Sequence, residues 1–486
     1  MKNPDDTSMS DKIPASAWKL LIVLSLTATM VMYAETMLVP AIPDLINDFD
    51  ISYSESSWIL TAYLISGAIM TPINGKLSDI YGKKKILLVI MIVYIVGVSI
   101  GGFTIDFLSM IFVRILQGIG ISMFPIAFGM IREQFPISKI SIGQGIITSM
   151  FSGGAVIGLV VGGHIIQEYG WHATFFTIAP VSLVLFFIIK KFVHKGNPHP
   201  SWGIHHEEKT VQSKIDVFGA VTLALSIASL FLALTFAEEI NPNSVMGFGL
   251  LGMVSMIFFI MIEKRVRSPL IDFKILKNRT FLLANMTIML VSISMFVVFQ
   301  TIPVLVRSPE PVGFGQDPVS TTYVQLPFAI VLLVFGPASG IITSKLGSIK
   351  PIVVGSIIIT IAFLSLFVNH SSSLIVAVDL AIVAVGISLT NVGAMNIILI
   401  SLPRKDSGIS LGITSLLRIM GASLGPVMAA MFMQINQIKV NGLDGTFPSQ
   451  VSYDLIFLSS ALLAILSIIL SVFLKRSASG LLTKYL

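Results

Sequence analysis

Apolar stretches of about 20 residues recur from one end of this chain to the other, and no other feature constrains its fold as much. In hydrocarbon each backbone N–H and C=O needs a partner within the protein, so such a stretch crosses a bilayer as an α-helix. About 20 residues rising ~1.5 Å each cover the ~30 Å apolar core. Fourteen stretches qualify: 18–42, 57–75, 86–104, 107–130, 143–166, 173–192, 218–237, 244–262, 281–306, 321–343, 351–368, 374–402, 408–433 and 453–474. Pro125, Pro180, Pro337 and Pro426 fall inside them, as membrane helices tolerate. Composition agrees, with 54% hydrophobic and 12% charged residues, where soluble domains carry roughly a quarter charged. The opening residues, MKNPDDTSMSDKIPASAW, lack the basic start and cleavage site of a signal peptide, so the first stretch is expected to stay as a span. The fold class read from this pattern is an all-α polytopic membrane protein with 14 transmembrane helices.

Charge orients the spans. Every Lys and Arg except Arg114, Arg307, Arg418 and Lys439 lies in a tail or in a loop of one set of alternate loops. The positive-inside rule makes that side the cytoplasm. The expectation is a multi-pass protein of the cell (plasma) membrane with both termini cytoplasmic, its first partner the lipid bilayer. The pI of 9.3 then reflects orientation, and no nucleic acid partner is expected, since that needs basic residues clustered on a soluble face. The longest loops, 193–217, 263–280, 307–320 and 434–452, leave no room for a catalytic domain, and no phosphate-binding P-loop is present, so an enzyme is not expected. His199, His205 and His206 share one such loop and read as solvated rather than metal-binding. There is no cysteine, hence no disulfide or thiolate site, and no metal or other cofactor is expected.

The chain also repeats itself. PINGKLSDIYGKKK at Pro72 returns as PASGIITSKLGSIK at Pro337, aligning Gly75 with Gly340, Gly82 with Gly347 and Lys85 with Lys350. The same shift sets Glu35-Thr36 on Gln300-Thr301, and a shift longer by two residues sets Gly145, Gly154 and Gly158 on Gly412, Gly421 and Gly425. Two duplicated six-span halves with two spans inserted between them account for this. Parallel repeats of this kind are a transporter architecture with a midplane site at the repeat interface.

GKLSDIYGKKK (75–85) resembles the loop signature of the major facilitator superfamily, and RILQGIG (114–120) resembles its fourth-span motif, with Arg114, Gln117, Gly118 and Gly120 in place. AETMLVPAIPDL, WILTAYL, GWHATFFTIAP and SPLIDFKILKNRTF look like the fourteen-span drug:proton antiporter branch. The resemblance implies the major facilitator fold: a six-helix bundle over 1–192, a loop with two inserted helices and linker over 193–280, and a second six-helix bundle over 281–486. It implies a monomer that exports small amphipathic or cationic organic compounds by alternating access, with protons as coupling ion. The rival reading is a major facilitator transporter of a defined metabolite such as an amino acid or siderophore. The chain departs from the branch at Glu35, where Asp is usual, and in GAVIGLVVGG, where Leu159 replaces the Pro of the fifth-span motif.

Intramembrane charge costs at least ~2.5–3.5 kcal/mol on insertion scales, so Glu35, Arg114, Asp379 and Arg418 stand out. Glu35 is the expected proton carrier, Arg114 at similar depth either its switch partner or a structural ion pair or carbonyl anchor, and Gln300 its neutral counterpart in the second half. Asp379 is the reserve candidate for the cavity. In the loop motif, Gly75 and Gly82 are expected to allow a tight connection and close helix approach. Asp79 is expected to latch onto a helix N-terminus or a basic residue of a neighbouring span in one state only, and Lys83 holds the loop inside. Gly154, Gly158, Gly162 and Gly163 make a close-packing face, and Arg418, Gly421 and Gly425 mark the thirteenth span. Met295, Phe296, Phe299 and Phe328 read mostly as lipid-facing or core residues, with a deformable pocket for varied apolar ligands as the alternative for some of them.

Overall fold

The computed structural model describes residues 13–136, 139–193, 216–238, 242–266, 273–401, 407–443 and 445–482. His199, His205 and His206 lie outside the described residues. The helices of the first half are α1 (Ala15–Thr36), α2 (Ile42–Phe49), α3 (Tyr53–Tyr81), α4 (Lys83–Gly101), α5 (Phe107–Gly118), α6 (Met123–Gln134), α7 (Ile140–Tyr169) and α8 (His172–Phe192). The inserted pair is α9 (Val217–Glu238) and α10 (Pro242–Glu263). The second half holds α11 (Phe273–Leu276), α12 (Arg279–Arg307), α13 (Pro318–Leu346), α14 (Ile349–Val368), α15 (Ser373–Ser401), α16 (Ser407–Ile435) and α17 (Gln450–Leu482). Among the described residues, thirteen spans are long and apolar enough to cross a membrane, and a further apolar helix, Phe218–Ala233, occupies the seventh predicted stretch.

Two spans differ from uniform rods. The first runs from Ala15 to Phe49, well past the predicted end at 42, through a 3-10 turn at Val39–Ala41. Pro40 and Pro43 stand second in the turn and in α2, within the first turn where a missing N–H leaves no bond unmade, so the chain resumes as helix instead of stopping. The fourth span breaks at the 3-10 turn Ile119–Ser122 between α5 and α6. The all-α reading also needs one amendment. An antiparallel pair, Gln437–Ile438 with Phe447–Pro448, closes the loop before α17, helped by positive φ at Gly442 and Gly445.

The repeat is visible in the packing. α1 lies on α7, and α12 lies on α16 in the same manner; between halves, α3 packs on α16 and α7 on α13. Cβ atoms added at Gly154, Gly158 and Gly162 would fall 2.4 Å from the Thr29 carbonyl, 2.0 Å from Thr36 Oγ1 and 2.6 Å from the Met37 carbonyl. Added at Gly421 and Gly425, they would fall 2.4 Å from the Met289 carbonyl and 2.7 Å from that of Ile293. Small residues thus bring backbones together in both halves. The inserted helices pack on each other, joined by Ser226 donating to the Gly252 carbonyl at 3.0 Å, and α9 also lies against α3 and α16.

Candidate functional site

Glu35 sits in the last turn of α1, just before the proline-broken segment, and is 4% exposed. Two cations act on its carboxyl group: Arg418 of α16 and Arg114 of α5. They come from opposite halves. Arg114 is fully buried, and its donors go to carbonyl groups: Nε to Ile59 at 2.6 Å and Nη1 to Ala34 at 2.9 Å, with Gln117 Oε1 at 3.1 Å. Its guanidinium lies 4.5 Å from the centre of the Tyr63 ring, and the Tyr63 hydroxyl donates to the Val31 carbonyl at 2.9 Å. Arg114 therefore ties α1, α3 and α5 together while its Nη2 keeps no hydrogen-bond partner. Arg418 lies 5.6 Å over the Phe151 ring of α7.

Gln300 is fully buried on α12 and donates from Nε2 to Ser56 Oγ of α3 at 2.9 Å. The counterpart of Glu35 thus bonds across to the opposite half. Asp379 is placed elsewhere: it lies beside Ser365 of α14, and its charge is not among those acting on Glu35. Its grouping with the Glu35 cavity is corrected accordingly, because α15 turns this residue toward α14.

A small apolar cleft of about 30 Å³ lies between the halves, lined by Met32 of α1, Phe151 of α7, Met295 and Phe299 of α12, and Phe328 and Leu332 of α13. Met32 precedes Glu35 by one turn, and Phe151 serves both the cleft and Arg418, so charge site and cleft adjoin. Phe296 stands behind, edge-on to Phe299 with ring centres 5.3 Å apart.

Leu159 leaves α7 unbroken. The Ala155 carbonyl, which a proline at 159 would strip of its helical donor, also accepts from Thr36 Oγ1 at 3.1 Å. Trp171, from one of the stretches that carried the resemblance, ties α8 to the end of α2: its Nε1 donates to Asp48 Oδ2 at 2.7 Å, and its ring stands edge-on to Phe49.

At the end that the charge pattern assigns to the outside, the halves are joined. Arg307 of α12 forms a two-pronged pair with Asp44 of α2, Thr322 donates to the Leu159 carbonyl at 3.0 Å, and Thr61 donates to that of Ser423 at 3.3 Å. Sequence reasoning passed over Asp44 and Arg307; the available signal was that Arg307 is one of only two basic residues outside. At the opposite end, Gly82 turns α3 into α4 with φ 94°. Asp79 is largely exposed and 3.7 Å from Lys83, which itself bonds Glu133 at 2.6 Å. The expected bond from Asp79 to a neighbouring span is not made in this conformation. A Cβ at Gly75 would meet no atom within 4 Å, so the close approach expected of this residue is absent as well, while the neighbouring Asn74 donates to Ser122 Oγ at 2.8 Å.

The Major Facilitator Superfamily model matches residues 24–426. The chain belongs to the major facilitator superfamily. It is a membrane transporter, not an enzyme, and its apolar helices fit the fourteen-span branch. Among superfamily members, Multidrug resistance protein 3 of Bacillus subtilis (strain 168) is 28% identical over 67% of this chain, a match spanning 61% of that protein's length. Multidrug transporter protein MdtP of the same organism is 25% identical over 82% of this chain and 72% of its own. In three dimensions, a bacterial homologue of the human lysosomal transporter Spinster, solved in an inward-facing conformation, superposes with a TM-score of 0.68 at 14% identity, covering 95% of this chain and 98% of that one.

Proposed function

We propose that this major facilitator chain exports amphipathic, often cationic, organic compounds in exchange for protons, as a monomer of the plasma membrane with both termini cytoplasmic. The observation that carries this reading is the Glu35 carboxyl group, buried at membrane depth beneath Arg114 and Arg418 and one turn from an apolar cleft. The names of two relatives at 25–28% identity point the same way.

The chemistry follows from charge balance. A deprotonated Glu35 is held by cations from both halves, which draws α1 and α16 together. Protonation cancels that attraction, and a cationic compound in the cleft competes for the same carboxylate. Proton and substrate therefore occupy the site in turn, which is the requirement for exchange. Gln300 offers a carboxamide of nearly the same shape that carries no proton, so the two halves do not titrate alike.

The test uses proteoliposomes with an imposed pH gradient and a fluorescent lipophilic cation. Glu35→Gln is expected to abolish gradient-driven accumulation while retaining dye binding, and Glu35→Asp to keep partial activity. Accumulation by Glu35→Gln under a pH gradient alone would overturn the assignment.

A further inference from the structure

His370 lies in the short connection between α14 and α15 and is 8% exposed. Its two ring nitrogens face two acceptors: Nδ1 is 2.9 Å from the Leu366 carbonyl oxygen, and Nε2 is 2.8 Å from Gln450 Oε1 at the start of α17. A carbonyl oxygen only accepts, so Nδ1 donates. The Gln450 amide is fixed in its orientation, because its own Nε2 donates to the Pro311 carbonyl at 3.1 Å. Turned over, it would set oxygen against oxygen there. The ring Nε2 therefore donates as well. Both bonds form together only on a ring that holds two protons, the imidazolium. Asp454 Oδ1, 3.9 Å from Nδ1, balances that charge. The Tyr453 and Phe457 rings stand edge-on to His370, with centres 6.1 and 5.4 Å away.

What the ring holds is the lobe that follows Arg307. This lobe folds back on the last turn of α12: the Phe314, Gly315 and Gln316 N–H groups donate to the Leu305, Ser308 and Val306 carbonyls at 2.8–3.1 Å. Two bonds fasten it to α17, Gln450 to Pro311 and the Tyr453 hydroxyl to Ser308 Oγ at 3.4 Å. Ser308 directly follows Arg307, which reaches across to Asp44 of the other half. A chain of contacts thus runs from His370 through Gln450 and the lobe to the pair that closes this end. Other charges turn elsewhere. Asp379 of α15 faces Ser365, deeper in α14, and Asp317 before α13 accepts from the Ser320 N–H. Glu310 of the lobe is exposed. Among the described residues, only Asp454 brings a carboxylate within 4 Å of the ring nitrogens.

We propose that His370 is a proton-binding switch for the closed end: the doubly protonated ring clamps the lobe on α17 and holds Arg307 against Asp44, and loss of one proton releases it. A neutral ring keeps one N–H and turns a lone pair toward an acceptor. The Leu366, Gln450 or Pro311 oxygen then loses its donor, and the chain of bonds is cut. An imidazole changes charge between about pH 5 and 8, so acid on this side holds the end shut and alkali frees it. The switch rests on the proposed function only for the side this end faces, and on neither Glu35 nor the compound carried.

The test is a distance measurement by electron spin resonance on the purified chain in detergent. Nitroxides are placed at Asn47→Cys in α2 and Glu310→Cys in the lobe, both exposed positions in a chain with no native cysteine. Glu35→Gln is carried throughout, so that the Glu35 carboxyl group does not titrate. Raising the pH from about 5.5 to about 8 is expected to raise the ratio of long- to short-distance populations about tenfold. His370→Gln and Gln450→Leu are each expected to abolish that change, the first by removing the titrating ring and the second by cutting the ring from the lobe. His164 beside Tyr323 and His172 on the Trp171 ring remain in both variants. A pH response that survives in either variant, or that is missing from the parent, would overturn the switch. Neither transport nor membrane orientation enters this readout, so it stands or falls apart from the exporter reading.

Discussion

Arg114 and Arg418 both act on Glu35, but they are bound into the fold in different ways. Removing Arg114 leaves the Ala34 carbonyl, in the last turn of α1, without this donor inside the membrane and takes the second donor from the Ile59 carbonyl, and an orphaned buried group costs ~1–3 kcal/mol. Arg114→Ala is therefore expected to lower the thermal unfolding midpoint of the detergent-purified protein as well as transport. Arg418 rests on the Phe151 ring and, among the described residues, donates to no comparable set of carbonyls. Arg418→Ala is expected to keep the wild-type midpoint and lose pH-driven export. Equal midpoints for both variants would refute this division of labour. At this scale the sequence was informative about which residues matter, because a charge inside an apolar run is rare enough to notice. It was silent about partners. Glu35 and Arg418 are far apart along the chain and meet only through the packing of opposite halves, while Asp379, equally conspicuous, lies beside Ser365 of α14.

Among the elements, the turn from α3 to α4 carries a conformational question. Asp79 is mostly exposed here and its neighbour Lys83 is engaged by Glu133, so a latch through Asp79 belongs to another state of the cycle. Such a charged hydrogen bond is worth ~1.5–3 kcal/mol, enough to shift a two-state population more than tenfold. Asp79→Asn is expected to leave thermal stability unchanged and slow initial transport rates about tenfold; wild-type rates in a well-expressed variant would reduce the loop to an orienting device. Helix existence was legible almost throughout, since length and hydropathy alone decide it in a membrane. Helix interruption was not. Hydropathy bounded the first stretch at 42, yet Pro40 and Pro43, each second in a new turn or helix, are permissive there because no intrahelical donor is needed. Their place depends on where the next turn begins, which hydropathy does not encode.

For the molecule as a whole, the halves are joined at one end, and Asp44–Arg307 is the charged member of those contacts. A partly buried two-pronged pair is worth ~1–3 kcal/mol, so Asp44→Ala or Arg307→Ala is expected to open this end. The readout is a roughly tenfold faster reaction of Met32→Cys with an impermeant thiol reagent from outside, and the double exchange Asp44→Arg with Arg307→Asp is expected to restore slow labelling. Unchanged labelling in both single variants would show that the neutral contacts suffice. Sidedness has its own check. Cysteines replacing Glu310 or Leu443 are expected to react from outside and those replacing His205 or Leu270 are not, and external labelling at 205 would reverse the orientation. The internal repeat gave the symmetry of the assembly from sequence, but not the one-sided placement of α9 against α3 and α16, because the α3–α16 and α7–α13 seams are equally apolar in sequence. The two halves have drifted apart wherever chemistry allowed, Glu35 against Gln300 and Asp79 against Ser344, yet both keep Gly154 with Gly421 and Gly158 with Gly425. No amino acid is smaller than glycine, so every replacement at those four places adds at least a methyl group, which would land 2.0–2.7 Å from the nearest atom of another helix. They are mutational dead ends: in a saturation library they would tolerate no replacement, while the inherited chemistry around them remains free to evolve.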